Sequence, residues 1–251
     1  MEPISNPEAA AERFLDILQK CRCAAALTGA GVSTASGIPD FRGPSGLYSK
    51  ISQRTFEIDF LMSCPAEYYK IAVEHIHTLE EKEPNATHIL LARLEEMGLL
   101  GTVITQNIDG LHRKAGSEKV IEFHGNVTGF HCTECEKAFG RSEVEEMIRT
   151  DKVPRCIHCK ALIRPDIVFF GDLIPFEALM QARKTACEAD VFITLGSSLE
   201  VNPAAGLAAD AWRNNARLVI INRGPTRLDV AAAERFEVDL TEFSTAALAR
   251  I

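Results

Sequence analysis

Hydrophobic and polar positions alternate along the chain in two patterns, one typical of helices and one of buried strands. Helical spacing of the apolar residues predicts helices over 7–20, 65–77, 84–97, 175–188 and 203–214. Short, nearly continuous apolar runs predict strands over 23–27, 102–105, 120–123, 167–170, 191–195 and 217–221. Residues 50–62 show a mixed pattern that predicts neither. The chain therefore consists largely of strands and helices in alternation.

This alternation predicts an α/β fold, a Rossmann-like parallel sheet with helices on both faces. Gly29, Gln106, Gly196 and Asn222 each directly follow a predicted strand. Ligands of such sheets bind at the carboxyl ends of the strands. We therefore expect these four residues to meet at a ligand site.

Four cysteines interrupt the alternation in two pairs, Cys132-x-x-Cys135 and Cys156-x-x-Cys159, with 20 residues between the pairs. This spacing predicts one structural Zn²⁺, because four thiolates close a tetrahedral coordination sphere and leave no position for water. His131 and His158 are interpreted as bystanders. We expect a small zinc-binding insertion, about 130–162, within one catalytic unit whose Rossmann-like domain comprises about 1–129 and 163–251. A nucleic-acid-binding zinc ribbon is the rival interpretation, which the local mixture of acidic and basic residues does not favour.

Composition narrows the possible partners. The 251 residues are 46% hydrophobic and 25% charged, with a formal net charge of −8. An acidic chain disfavours broad binding to nucleic acid or to an anionic membrane, and no apolar run approaches the ~20 residues of a membrane span. The first residues have neither the basic nor the apolar region of a signal peptide. We therefore expect a cytoplasmic location.

The glycine-rich segment 27–48 follows the first predicted strand. Its start, Thr28-Gly29-Ala30-Gly31, is typical of a turn that brings backbone N–H groups towards a phosphate, and Ser33 or Thr34 is expected to cap the short helix that follows. The full dinucleotide fingerprint requires a glycine at position 34 and a second strand where Pro39-Asp40-Phe41-Arg42 stands. A hydride-transferring dehydrogenase is therefore disfavoured, whereas dinucleotide binding is not.

Polar residues follow the second predicted strand in the run Thr105-Gln106-Asn107-Ile108-Asp109. Two interpretations of this run stay open on the pattern alone: it caps the short helix near Leu111, or it binds a ligand. His124 is likewise open to two interpretations, a hydrogen-bonded histidine at a strand end or a general base, for which its ordinary pKa near 6.5 suits it.

The chain resembles the sirtuins, the NAD-dependent protein deacylases. The resemblance is carried by segment 27–48, by residues 105–109 with His124-Gly125, by the paired cysteines, and by Gly196-Ser197-Ser198-Leu199 with Asn222, which occur in the family's order between residues 24 and 240. It implies a structural zinc, NAD⁺ as co-substrate and acetylated proteins or peptides as substrates. It further implies cleavage of NAD at the nicotinamide–ribose bond and transfer of the acyl group from lysine, giving free lysine, nicotinamide and O-acyl-ADP-ribose.

The resemblance also implies roles for single residues. His124 would take a proton from a ribose hydroxyl, and Asn107 is the second catalytic candidate. Asp109 with the backbone of Ile108 would hold the nicotinamide carboxamide, and Gln106 and Asn107 the ribose. Further NAD contacts are expected from Ala30, Thr34, Phe41, Arg42, Ser197, Ser198, Asn222 and Asp239.

Asp239 is the weakest match, since Glu237-Val238-Asp239 departs from the family's small residues. Val168, Phe170 and Gly171 would bind the substrate peptide as an added strand, although this chain has Phe170-Gly171-Asp172 where the family often has Phe-Gly-Glu.

The expected acyl group is acetyl. Relatives that prefer succinyl or malonyl lysine carry a Tyr-x-x-Arg pair, and the matching positions here are Ala72 and His75. A protein mono-ADP-ribosyltransferase on the same scaffold and a non-catalytic NAD-binding module remain the alternatives.

Overall fold

The computed structural model describes residues 2–41, 43 and 46–251. The α-helices are α1 Pro7–Lys20, α2 Ile58–Ser63, α3 Pro65–His75, α4 Ala86–Glu96, α5 Leu111–Lys114, α6 Arg141–Asp151, α7 Phe176–Glu188, α8 Ala204–Arg213 and α9 Leu240–Leu248. The strands are β1 Ala24–Thr28, β2 Thr102–Thr105, β3 Val120–Glu122, β4 Gly125–Cys132, β5 Ala138–Gly140, β6 Ile163–Ile167, β7 Val191–Leu195, β8 Arg217–Ile221 and β9 Glu234–Phe236. Short 3₁₀ helices span Ala30–Ser36, Leu47–Ser49, Gln53–Phe56, His77–Glu81 and Asp229–Ala231.

Six strands form one parallel sheet in the order β3-β2-β1-β7-β8-β9. Strands β1, β2 and β3 follow one another towards one edge of the sheet, and β7, β8 and β9 follow one another towards the other edge. The strand order therefore reverses between β1 and β7. In that pair Leu27 lies beside Thr194 and Thr28 beside Leu195. A reversal of this kind opens a crevice beyond the strand ends.

Both faces of the sheet are covered, as the alternation of elements predicts. On one face α1, α4 and α9 pack through Phe14, Leu90, Leu94 and Phe243. On the other face α7 and α8 pack through small residues such as Ala182 and Ala208. Every residue of β1, β7 and the last four of β8 is buried, which explains their continuous apolar sequences. The predicted α/β fold is confirmed.

Three antiparallel strands form a second, smaller sheet in the order β5-β4-β6, with α6 packed beside it. Phe130, Phe139 and Val144 form its core together with Cys132 and Cys156. The predicted strand 167–170 differs from expectation: β6 ends at Ile167 in this second sheet. Residues 168 and 169 belong to no strand, and Phe170 forms only an isolated parallel bridge with Glu57, in which the Phe170 N–H donates to Phe56 O and Phe170 O accepts from the Ile58 N–H.

Two elements at the C-terminus, β9 and α9, were not predicted. Segment 50–62 contains the 3₁₀ helix Gln53–Phe56 and α2. Among the described residues, no helix combines the length and the apolar character that crossing a membrane requires.

Candidate active-site cleft

A cavity of about 1220 Å³ lies at the carboxyl ends of β1, β2, β7 and β8. Gly29, Gln106, Gly196 and Asn222 all line it, as their positions after four strands predict. The cavity also brings together the other described residues expected to bind NAD or peptide: Ala30, Thr34, Phe41, Asn107, Ile108, Asp109, His124, Val168, Phe170, Gly171, Ser197, Ser198 and Asp239. Arg42, the remaining candidate, lies outside the described residues.

The glycine loop after β1 is hydrogen-bonded to the turn after β7. The Gly29 N–H donates to Leu195 O at 3.0 Å and the Gly31 N–H to Gly196 O at 2.9 Å. A Cβ at Gly31 would lie 2.8 Å from the Cα of Gly196, and one at Gly29 would lie 2.8 Å from Gly196 O. The sequence predicts that the backbone N–H groups of this loop face a phosphate. That prediction is wrong for Gly29 and Gly31, because their N–H groups form the hydrogen bonds that join the two turns. The glycines are required for close packing of backbone on backbone.

Ser33 does not cap the helix after this loop. The N-cap position of the 3₁₀ helix is Gly29, which makes no side-chain hydrogen bond. Instead, the buried Ser33 hydroxyl donates to Asp109 Oδ2 at 2.7 Å and accepts from Asn107 Nδ2 at 3.1 Å. Thr34, the other predicted cap, donates to Gly31 O at 3.0 Å. Ser33 thus ties the glycine loop to the polar run after β2.

Asn107 and Asp109 are both buried at the floor of the cleft. Asn107 Nδ2 donates to Gly29 O and to Ser33 Oγ, which leaves its Oδ1 as an acceptor. Asp109 Oδ1 accepts at 3.0 Å from the N–H of Leu111, the first residue of α5, although the N-cap position of this helix is Gly110. Burial raises the pKa of Asp109, against the lowering effect of these hydrogen bonds. Residues 105–109 can therefore both hydrogen-bond the start of α5 and present groups to a ligand in the cleft.

Two buried histidines behind Ser33 were not recognised as part of the site. His88 Nε2 lies 3.4 Å from Ser33 Oγ, and the His88 and His112 rings are in edge contact with centroids 4.8 Å apart. His112 Nε2 lies 2.9 Å from Thr28 Oγ1. Burial lowers the pKa of His88 to about 4 and that of His112 to about 3. Both rings are therefore neutral at pH 7 and serve as hydrogen-bonding groups.

The His124 ring is oriented by a backbone carbonyl. Its Nδ1 lies 2.9 Å from Gln106 O, and a carbonyl oxygen only accepts, so Nδ1 carries the proton. In the neutral ring Nε2 is then an unprotonated acceptor, and no side chain of the described residues occupies it. Burial lowers the pKa of His124, which favours this neutral form. The ring is thus arranged to accept a proton from a group in the cleft.

The remaining NAD candidates lie around the rim. Phe41 packs on Tyr48 and Phe56, with ring centroids 5.4 and 5.7 Å away. Ser197 Oγ accepts from Gln106 Nε2 at 3.1 Å, and Asn222 Nδ2 donates to Gly224 O at 2.8 Å. Asp239 has structural partners too: it caps α9 and pairs with Arg223.

Residues 168–172 also line the cleft. The Val168 N–H donates to His124 O at 2.9 Å, and the two backbone groups of Phe170 bond to Phe56 and Ile58. Asp172 accepts from the Phe169 N–H at 3.0 Å and pairs with Arg164. Most of the backbone expected to bind an added strand is therefore already hydrogen-bonded. Within the described part of the chain, Val168 O accepts no hydrogen bond.

The two positions expected to set the acyl preference differ in placement. Ala72 is fully buried in α3 among Tyr68, Tyr69 and Phe169, whereas His75 lines the cleft. Beside His75 the cleft is lined by Ile76 and Leu79. No described arginine lines this part of the cleft.

The four predicted zinc ligands converge at one end of the small sheet. The Sγ atoms of Cys132, Cys135, Cys156 and Cys159 all lie within 4.8 Å of one another, and three of the pairs are 3.3, 3.6 and 3.7 Å apart. Tetrahedral Zn–S bonds of about 2.3 Å place thiolates about 3.8 Å apart, so the cluster fits one Zn²⁺. His131 is paired with Asp166 instead and stands outside the cluster.

Comparison with known proteins gives consistent matches. Residues 29–203 match the Sir2 family. The chain is 49% identical over 233 residues to the NAD-dependent protein deacetylase of Thermotoga maritima, covering 93% of this chain and 95% of that protein. It is 42% identical over 217 residues to the protein of the same name from Thermodesulfovibrio yellowstonii, covering 85% of this chain and 84% of that one.

Solved structures agree with the sequence matches. A complex described as Sir2, p53 peptide and NAD⁺ has a TM-score of 0.91 at 46% identity, covering 95% of this chain and 97% of that one. A Sir2 variant with deacetylated p53 peptide and 3′-O-acetyl ADP ribose has a TM-score of 0.92 at 47% identity, with the same coverage of both chains.

Proposed function

Because the chain belongs to the Sir2 family, we propose that its cleft binds NAD⁺ beside an acetylated lysine and transfers the acetyl group from that lysine to ADP-ribose. The protein is an NAD-dependent protein deacetylase, with NAD⁺ as co-substrate and one structural Zn²⁺. Its products are deacetylated lysine, nicotinamide and O-acetyl-ADP-ribose. The residue roles that follow are our proposals.

The observation that carries the proposal is the hydrogen bond that orients His124. Its Nδ1 faces Gln106 O, which leaves Nε2 as the acceptor towards the cleft, and burial lowers the pKa of the ring, which favours the neutral form. Acyl transfer to a ribose requires a base that removes the proton of the attacking hydroxyl. Nε2 would take that proton, and the charge gained would be stabilised by the hydrogen bond from Nδ1–H to the carbonyl.

Other residues of the cleft would hold NAD⁺, which supplies the reactive ribose and the nicotinamide leaving group. Asp109 has further lone pairs on both carboxylate oxygens for the N–H of a carboxamide, and Asn107 Oδ1 is an acceptor for a ribose hydroxyl. Phe41 lies at the rim in an aromatic cluster, where it would exclude water. Ser197, Ser198 and Asn222 line the part of the cleft at β7 and β8, where the adenosine half would lie.

Acetylated peptide would lie along residues 168–171. Val168 O is an acceptor suited to the N–H of an acyl-lysine, and the loop is held in place by its bonds to His124, Phe56 and Ile58. The apolar lining by Ile76 and Leu79 suits an uncharged acyl group, so we propose acetyl rather than succinyl lysine as the substrate. Binding to nucleic acid or membrane is not expected, and a cytoplasmic location stays a prediction from the sequence.

The small sheet would serve as a zinc-bound support for the cleft. The division at about residues 130 and 162 stays a proposal. Among the described residues β4, β5 and β6 form a sheet of their own, although β4 begins at Gly125 and β6 ends at Ile167, outside those bounds. Four thiolates close the metal site, so the zinc would hold the fold and take no part in the reaction.

The test is nicotinamide release from NAD⁺ with an acetyl-lysine peptide, with the unacetylated peptide and without peptide. We expect release only with the acetylated peptide, together with loss of its acetyl mass. His124→Ala should lower turnover by about 10²–10⁴-fold, because it removes the base, while peptide affinity stays within threefold. Nicotinamide release with the peptide mass unchanged would indicate ADP-ribosyl transfer or NAD hydrolysis and would overturn the proposal.

A further inference from the structure

A single arginine joins the last strand to the loop that follows β8. The side chain of Arg235, in β9, is only 10% exposed. Its Nη1 donates to Asn222 O at 2.6 Å and to Phe236 O at 3.0 Å, and its Nη2 donates to Gly224 O at 2.6 Å. Its Nε donates to Asp229 Oδ1 at 3.1 Å. Four of the five N–H groups of this guanidinium are therefore hydrogen-bonded.

The number of bonds exceeds what an ion pair requires. Asp229 by itself balances the charge of the guanidinium. Among the described residues, Arg235 is the only donor to Asn222 O, and Gly224 O accepts from Arg235 and from the side chain of Asn222 alone. A planar guanidinium serves several fixed acceptors at once, which the single ammonium of lysine cannot do. Arg235 therefore determines the backbone shape of loop 222–224.

Through Gly224, the arginine also determines the orientation of the Asn222 side chain. Asn222 Nδ2 donates to Gly224 O at 2.8 Å. A carbonyl oxygen only accepts, so the amide presents its NH₂ group there and keeps Oδ1 as an acceptor. Asn222, Arg223 and Gly224 line the cleft, whereas Arg235 does not. Any effect of Arg235 on a ligand in the cleft must therefore pass through this loop.

The ion pair of Arg235 holds the other end of the same loop. Asp229 accepts from the Thr226 N–H at 3.0 Å and from the Thr226 hydroxyl at 2.6 Å. Between these two residues, the Arg227 N–H donates to Ser198 O at 3.4 Å. Ser198 lines the cleft beside Asn222. One side chain outside the cleft thus supports the loop at both Asn222 and Ser198.

We propose that Arg235 is a positioning residue for NAD⁺, which fixes Asn222 and its loop in the shape that receives the adenosine ribose. It acts on the affinity for NAD⁺ and not on the chemical step, because the reacting bond lies at the other end of the bound dinucleotide, beside Asp109 and His124. This inference rests on the proposed deacetylase function, which assigns the part of the cleft at β7 and β8 to the adenosine half.

The first test is Arg235→Met, which keeps most of the length of the side chain and removes all of its donors. We expect KM for NAD⁺ to rise about tenfold, corresponding to about 1.4 kcal/mol. Both kcat and KM for the acetylated peptide should stay within about twofold, because a contact to the adenosine ribose is the same in the ground state and the transition state.

A lysine variant separates charge from geometry. Arg235→Lys keeps a positive charge beside Asp229 but cannot donate to the carbonyl groups of Asn222 and Gly224 together. KM for NAD⁺ should therefore still rise about fivefold. If charge alone mattered, lysine would restore the KM of the unaltered protein.

The matched control is Arg217→Met. Arg217 pairs with Glu234, the neighbour of Arg235 in β9, and it lies outside the cleft. Removing this guanidinium also breaks an ion pair to β9, yet KM for NAD⁺ should stay within about twofold, because no residue of loop 222–224 depends on it. The comparison separates positioning of the loop from a general loss of stability, which thermal unfolding of both variants measures.

A double-mutant cycle tests whether Arg235 acts through Asn222. Asn222→Ala should raise KM for NAD⁺ about tenfold, and the double variant with Arg235→Met should raise it no further, because residues that act as one unit are not additive. Calorimetric titration with ADP-ribose gives the same comparison without turnover. It is made below the unfolding temperature of the least stable variant, so a loss of stability does not obscure the result.

Three results would overturn the inference. An unchanged KM for NAD⁺ in Arg235→Met would show that the loop needs no such support. Full rescue by Arg235→Lys would show that only the charge matters. Effects that multiply in the double variant would show that Arg235 does not act through Asn222. An unaltered protein that neither binds ADP-ribose nor releases nicotinamide would instead overturn the deacetylase function, and the inference with it.

Discussion

A single backbone carbonyl determines what His124 can do. Gln106 follows β2, and its carbonyl holds the Nδ1–H of a histidine 18 residues later in the chain. The hydrogen bond selects one tautomer, and burial keeps the ring neutral by lowering its pKa. The residue after one strand thus sets the proton position of the proposed base after the next strand.

The first prediction concerns the pH dependence of catalysis. A base works only when unprotonated, and the pKa of His124 lies below its ordinary 6.5. The midpoint of the acid side of the kcat/KM profile should therefore lie below pH 6.5. Activity should persist at a pH where a fully solvated histidine is mostly protonated. A profile measured with the acetylated peptide from pH 5 to pH 8 checks this. A midpoint at or above 6.5 would contradict the account of His124.

The cysteine spacing predicted the zinc ligands, and the family resemblance singled out His124 as the proposed base, but neither indicated the contacts among the buried residues of the cleft. Ser33 was expected to cap a helix beside it in sequence, yet its partner is Asp109, 76 residues away. Two buried histidines behind it, His88 and His112, carry no pattern that separates them from core residues of a helix. Such contacts depend on how the loops after β1 and β2 meet, which local sequence does not determine.

At the scale of elements, the cleft depends on two interlocked turns. The turn after β1 and the turn after β7 are joined by the hydrogen bond from the Gly31 N–H to Gly196 O. Their backbones pack so closely that a Cβ on either glycine would overlap the other turn. Both turns line the cleft, so a change in their packing would change the shape of the cleft there.

We predict that Gly196→Ala both destabilises the protein and weakens NAD binding. Gly196 has φ +60°, and a Cβ there would lie 2.6 Å from the Val32 N atom. The cost should be about 2–4 kcal/mol, from overpacking and the left-handed backbone together. Gly98→Ala is the matched control, since Gly98 has φ +72° but nothing within 4 Å of its Cβ position.

Urea unfolding and NAD titration measure both effects. The control variant should lose only about 1 kcal/mol, the cost of the backbone conformation alone, and should bind NAD normally. If Gly196→Ala and Gly98→Ala lost the same stability and the same affinity, close packing of the two turns would not be what requires glycine.

A further prediction concerns the zinc-bound sheet. Strand β4 starts directly after His124, the Val168 N–H donates to His124 O, and the Val127 N–H donates to Ile108 O at 3.1 Å. Removing zinc by chelation, or with Cys156→Ser, should therefore lower deacetylation at least tenfold by disordering His124 and Ile108. Because the six-stranded sheet has its own core, most helical circular dichroism should remain.

The control for the metal is Cys187→Ser, which changes an exposed cysteine outside the cluster and should have no effect. Adding Zn²⁺ back after chelation should restore activity. Full activity in zinc-free protein would show that the small sheet does not position the site.

The elements that the sequence predicted well are those buried on both sides, such as β1, β7 and β8, because continuous apolar runs mark them. The missed strand β9 has only three residues and lies at the end of the strand order, and two of the three, Glu234 and Arg235, are charged, so no apolar run marks it. Loop 168–170 was taken for a strand because Val168, Phe169 and Phe170 are apolar. Its backbone bonds instead to Phe56 and Ile58, partners that no local pattern indicates.

For the whole molecule, buried neutral histidines link stability to pH. Burial lowers the folded-state pKa of His88 to about 4 and that of His112 to about 3, against an ordinary 6.5 for histidine. As the pH falls through 6.5 the unfolded chain binds protons before the folded protein does, so the free energy of unfolding decreases towards pH 4.

Between pH 7 and pH 5 each of these histidines should reduce the free energy of unfolding by about 1–2 kcal/mol. Urea unfolding at pH 7, 6 and 5 measures the loss. His112→Gln should flatten this dependence, because glutamine does not titrate, whatever its effect on stability at pH 7. An unchanged slope in that variant would contradict the buried, neutral state of His112.

The central claim is that one cleft couples NAD cleavage to acetyl transfer, and the most direct test is the stoichiometry of the products. Mass spectrometry of a reaction with an acetyl-lysine peptide should give nicotinamide, deacetylated peptide and O-acetyl-ADP-ribose in equal amounts, with no free acetate at early times. Nicotinamide in excess over deacetylated peptide, or acetate in place of O-acetyl-ADP-ribose, would contradict it.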